Sequence, residues 1–288
     1  MIPTFFIFQI TLNIALSAVV SGLIYLGIRR FLPYEAPAIA LFLGFLTGYF
    51  TISGLGGYAF PPKTVQNWLP HIAIVSLALG ILEKFWFKQI IIRWVVRVIL
   101  LELFLWRIFQ PFINHPFPSR SWTGSQTFLN LLGTSLVIVL FWWGLDYLLT
   151  RAQNAKPDSS KSHALLPTGL MLIGAGSSLS VVLAHSLIMG QLSGTLTATL
   201  GALAVLAWIT AKQPLTASVS PLICLLYTLP WLSIYTTLPK PTVLVLALSP
   251  VVLIPLFKGR SLMQQTLFRL GLVALVVSIS LLTAWQLS

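Results

Sequence analysis

No charged residue occurs between positions 4 and 28, and apolar runs of similar length follow one another along the chain. A helix crossing about 30 Å of hydrocarbon needs about 20 apolar residues. Within lipid, every backbone N–H and C=O must be satisfied inside the segment, so each run is expected to be a helix. The alternating ten-residue segments of a membrane barrel are absent. Ten runs can be read: residues 4–28, 36–53, 68–87, 89–109, 126–150, 165–189, 192–211, 215–236, 242–257 and 266–287. The ninth is short and carries Pro250 and Pro255, so a kinked or re-entrant course is open to it.

Composition closes the alternatives. Only 17 Lys or Arg and five Asp or Glu occur among 288 residues, against 57% hydrophobic residues. A soluble domain of this size would carry about three times as many charges. Disorder needs low hydrophobicity, which is the opposite of this chain. The fold class expected is an all-α integral membrane protein. It would be a polytopic bundle of about ten transmembrane helices with no sizeable soluble domain. The polar stretch 151–164 divides it into a first membrane half, 1–150, and a second, 165–288, with five helices each. The N-terminal run lacks a basic leader and is too long for a signal-peptide core, so it reads as a spanning helix.

The formal charge of +12 does not point to nucleic acid, because the basic residues are scattered between apolar runs. Their distribution is a topology signal, since Lys and Arg are retained in cytoplasmic loops. Twelve lie at the odd-numbered connections and their flanks, four at the even-numbered ones, and Arg97 lies within a span. Both termini are therefore expected outside, in a bacterial-type cytoplasmic membrane. An odd number of spans per half would make any internal repeat an inverted one, as in many transporters. Matching residues between the halves are few.

Chemistry-bearing residues are sparse. The single Cys224 excludes an intramolecular disulfide and a multi-thiolate metal site. No metal or other cofactor is expected, and no catalytic residue can be assigned. Gly54-Leu55-Gly56-Gly57 lacks the strand–helix setting of a phosphate loop. The fourth span holds Arg93, Arg97, Glu102 and Arg107. Arg93 can snorkel to the headgroups. Glu102 lies about 20 Å along the helix at 1.5 Å per residue, past the midplane, where an acid must be neutral or paired. Arg97 and Arg107, each five residues away, are off its face, so a partner from another helix is implied. His71 and His185 lie at similar depth. Glu102 with His71, His185 or Arg107 forms a candidate intramembrane binding site, and Arg97 is included as the second buried cation. Asp146 reads as interfacial beside Arg151, and Glu35 and Glu83 as loop or boundary residues.

The sixth and seventh spans are rich in Gly, Ser and Thr, which points to a tight helix–helix seam. The Pro-rich and aromatic outer loops, with Lys63, His115 and Arg120, read as an interfacial belt or as a cover over an outer cavity. Three function classes fit. A carrier or permease for a small solute, anionic ones included, is placed ahead of a non-catalytic scaffold or assembly subunit. A membrane-embedded enzyme acting on a lipid-linked substrate at the outer face comes third. The partners expected are the lipid bilayer and a small solute.

Overall fold

A computed structural model describes residues 4–53, 60–62, 64–86, 89–114, 122–153, 162–183, 186–210 and 214–232, with a few positions between 271 and 282. Among these residues the secondary structure is helical throughout, without strands. The helices are α1 (Thr4–Ile28), α2 (Ala36–Ser53), α3 (Val65–Phe85), α4 (Ile90–Ile113), α5 (Gly124–Gln153), α6 (Ser162–Leu183), α7 (Leu187–Thr210) and α8 (Ser220–Leu232). A single 3-10 turn, Ala217–Val219, leads into α8. The ninth expected span, most of the tenth, the Gly54 cluster, His185 and Lys63, His115 and Arg120 lie outside the described residues.

Among the described residues, five helices are long and apolar enough to cross a membrane: Ile10–Ile28, Val65–Phe85, Gly124–Gln153, Ala164–Leu183 and Leu187–Thr210. Their outward faces suit that solvent. On α5, Leu129, Leu132, Leu136, Leu140 and Trp143 form an exposed stripe at helical spacing. On α4, Ile91, Val95, Ile99, Leu103 and Trp106 are exposed, while Arg97, Leu101, Leu105 and Ile108 turn inward. A water-soluble helix would reverse that distribution. Apolar faces outward and a guanidinium inward are what a hydrocarbon surrounding selects.

The bundle has two groups. In one, α6 packs along α7, α1 along α2, and α7 lies against both α1 and α2. The α6–α7 seam is close, as the small residues require. Ser178 Oγ donates to the Gly190 carbonyl across it, at 2.6 Å. In the other group, α3 meets α8, and α5 meets α4 and α8. Chain crossovers place the α1–α2 corner, the C-terminal end of α3 and the start of α8 at one end of the bundle. There Thr216 Oγ1 and Ser218 Oγ both donate to the Tyr34 carbonyl, at 2.7 and 2.9 Å. The first turns of α3 and the last turns of α4 lie at the opposite end.

Candidate functional site

Three helices deliver charges to one buried point. Glu83 lies in the last turn of α3, Arg97 two turns into α4, and Asp146 two turns before the end of α5. The Arg97 side chain is 1% exposed, Glu83 6% and Asp146 16%. Arg97 grips Glu83 with two prongs: Nε donates to Oε1 at 2.6 Å and Nη2 to Oε2 at 2.7 Å. Its Nη1 donates to Asp146 Oδ2 at 2.5 Å. The guanidinium also lies over the Trp94 and Trp142 rings, 4.9 and 4.8 Å from their centroids. Arg93 Nε stands 4.0 Å from Glu83 Oε2. Two arginines thus face two carboxylates, so the network is close to neutral, the condition for tolerating charge away from water. Asp146 Oδ1 and Trp142 Nε1 are buried without a hydrogen-bond partner among the described residues.

A second pair stands at the same end. Lys84 Nζ donates to Glu35 Oε1 at 2.9 Å and lies 4.6 Å from the Tyr34 ring centroid. Burial pushes the Tyr34 phenol above its ordinary pKa, and the Glu83 charge adds to the rise. Glu35, in the turn before α2, and Glu83, in the last turn of α3, keep their loop and boundary positions, but both are buried and paired. The contacts correct Asp146, whose partner is Arg97; Arg151 instead donates to Tyr147 Oη at 3.1 Å.

At the other end, α3 and α4 line an open groove of about 320 Å³. Pro62, Thr64, Val65 and Trp68 form one wall, and Arg107, Gln110, Pro111 and Asn114 the other. Arg107 is exposed and stacks over Trp68, 5.7 Å from its ring centroid. His71 lies beside the same tryptophan at 5.8 Å between ring centroids, with Nδ1 3.1 Å from the Asn67 carbonyl.

The residues singled out from the sequence therefore fall in three places. Arg97 is the centre of the ion-pair network. Arg107 and His71 each lie against Trp68. Glu102, half-buried, accepts a hydrogen bond from Ser135 Oγ on α5. A partner from another helix is present, and it is a neutral hydroxyl. Glu102→Gln should therefore change stability by less than about 1 kcal/mol, since the amide oxygen still accepts from Ser135. Thermal unfolding of the purified variant checks this; a loss of several degrees would mean that the carboxylate charge itself is held.

Sequence reasoning missed Glu83, Asp146, Trp94 and Trp142. A signal existed. Trp94 and Arg97 are three residues apart and Trp142 and Asp146 four, so each charge shares a helix face with an indole. No protein-family model, curated protein or solved structure matches the chain.

Proposed function

We propose that this protein is a ten-span membrane carrier for a small solute, with both termini outside and residues 151–164 as the cytoplasmic link between two five-helix halves. One observation carries this reading. The α3–α4 pair that lines the Trp68–Arg107 groove at one end is tied at the other by Arg97 to Glu83, with Asp146 of α5 joining the same guanidinium. Arg97 and Arg107 are ten residues apart, about 15 Å along α4. A carrier needs one end closed while the other is open. Arg29, Arg30 and Lys84 lie at the tied end, a charge bias that supports a cytoplasmic side there and an outward-facing groove.

Helix pairing supports a repeat. The α1–α2 contact has a counterpart in α6–α7, and α2–α3 in α7–α8. The pairs α2–α7 and α3–α8, which an exchange of halves maps onto themselves, are both in contact. The α1–α7 contact departs from the pattern, as no α2–α6 contact of similar extent accompanies it.

Reciprocal accessibility tests the carrier. Cys224 is replaced by Ser, and single cysteines are placed at Asn114 in the groove and at the buried Ser220 near the tied end. A membrane-impermeant maleimide is applied to either face. Asn114→Cys should label from outside, and Ser220→Cys should resist. Arg97→Gln should raise labelling at Ser220→Cys from inside and lower it at Asn114→Cys. Unchanged labelling at both sites would favour the scaffold and overturn the carrier.

A further inference from the structure

We propose that the groove between α3 and α4 is a binding site for a phosphate-type oxyanion, held by Arg107. The assignment of this site to a transported solute rests on the carrier reading; the binding itself does not. Four features converge. Arg107 has no acid partner among the described residues, and none of the eight residues lining the groove is acidic. Its guanidinium lies over the Trp68 ring, 5.7 Å from the centroid, a cation–π contact that does not use up its N–H donors. Gln110 and Asn114 lie three and seven residues beyond Arg107 on the same face of α4, adding two carboxamides. Opposite them, α3 begins within the groove. Thr64 caps it by taking the Asn67 N–H on both its Oγ1, at 3.4 Å, and its carbonyl, at 3.1 Å, and the Val65 and Gln66 amides precede the first intrahelical acceptor.

The donor set selects the ligand class. A carboxylate presents two oxygens in one plane, both of which a guanidinium fork can hold from one side. The groove has donors on both walls, from a guanidinium, two carboxamides and a helix N-terminus. That arrangement suits a tetrahedral oxyanion with three or four accepting oxygens. The C-terminal carbonyls of α4 oppose an anion, and the Asn114 N–H covers one of them, at 2.9 Å from the Gln110 oxygen. A volume of about 320 Å³ admits a phosphate with a small organic substituent.

The phosphate could belong to a soluble solute or to a lipid headgroup, and two arms separate these sources. In the first, the full chain in a phosphate-free maltoside detergent is titrated with radiolabelled inorganic phosphate. In the second, nanodiscs doped with phosphatidylglycerol are analysed for lipid retained by the protein. Saturable phosphate binding that Arg107→Gln weakens by about tenfold or more supports a free oxyanion. Phosphatidylglycerol retention that the same variant abolishes supports a headgroup. Asn114→Leu, which leaves the cation in place, should weaken whichever binding is seen by a smaller factor. Arg107 is exposed, so both variants should fold, which size-exclusion profiles check. Binding unchanged by Arg107→Gln in both arms overturns the site, as does acetate competing as well as sulfate. Absence of binding in both arms also overturns it. Binding without reciprocal labelling would remove the carrier and leave the site; reciprocal labelling without binding would do the reverse.

Discussion

Arg97→Ala is expected to lower stability by about 3–5 kcal/mol, the cost of leaving buried charge without its partner. Both Glu83 and Asp146 lose their main counter-ion, and a gap opens between the Trp94 and Trp142 rings. Arg93, at 4.0 Å from Glu83 Oε2, is too far to replace a two-pronged contact. Thermal or denaturant unfolding of the purified protein in detergent measures the effect. The charge-free combination Glu83→Leu, Arg97→Met and Asp146→Leu should recover to within about 1 kcal/mol of the parent, because apolar groups of similar volume often replace a buried ion pair without loss. A triple variant as unstable as Arg97→Ala would show that the side chains contribute through shape. A fully stable Arg97→Ala would show that water reaches the carboxylates.

The second large effect is steric. A methyl group on Gly80 would collide with the Ser218 carbonyl oxygen, a backbone atom of the 3-10 turn before α8. Gly80→Ala should therefore cost about 1–3 kcal/mol through displacement of packed elements. Ser218→Gly should not relieve it, because the obstructing atom is backbone. Gly48 provides the contrast. A methyl there would meet side-chain atoms, Thr195 Cγ2 and Ser17 Oγ. Gly48→Ala should be partly rescued by Thr195→Ser, which removes the obstructing methyl. A double-mutant cycle at each site measures the difference. Rescue of Gly80→Ala by Ser218→Gly would place the obstruction in the side chain and contradict the geometry.

Hydropathy located helices well where charge bounds them. Helices α1 and α2 begin and end where the sequence places them, because Arg29-Arg30 and the prolines at 33 and 37 bracket the corner. Polar starts are harder to see. Helix α3 begins at Val65, ahead of the expected Trp68, because the Thr64 side chain accepts from the Asn67 N–H. Gln66 and Asn67 conceal that turn from a hydropathy scale. Helix α4 continues to Ile113 through Pro111, past the expected Phe109. Helix α6 ends at Leu183, and α7 starts at Leu187, so Gly190 is a helix residue at the Ser178 contact and not part of a turn.

The candidate site was less legible for a physical reason. Depth along a span can be read from residue spacing, and it correctly marked Arg97 as hard to explain. Rotation about the helix axis relative to neighbours cannot. Glu83 and Asp146 sit near helix ends by depth, yet both point sideways into the bundle. Glu102 sits deep, yet meets a serine.

The short spacing within the ion-pair network bears on biogenesis. Glu83 and Arg97 are 14 residues apart, on consecutive helices of one hairpin, whereas Asp146 is 49 residues from Arg97. During synthesis the hairpin can thus leave the translocon with its guanidinium already neutralised. A lone arginine in a span carries an insertion cost of about 2.5–3.5 kcal/mol. Pairing within the hairpin removes much of that cost before α5 exists, so the third charge can arrive late, as a lateral docking step within the bilayer.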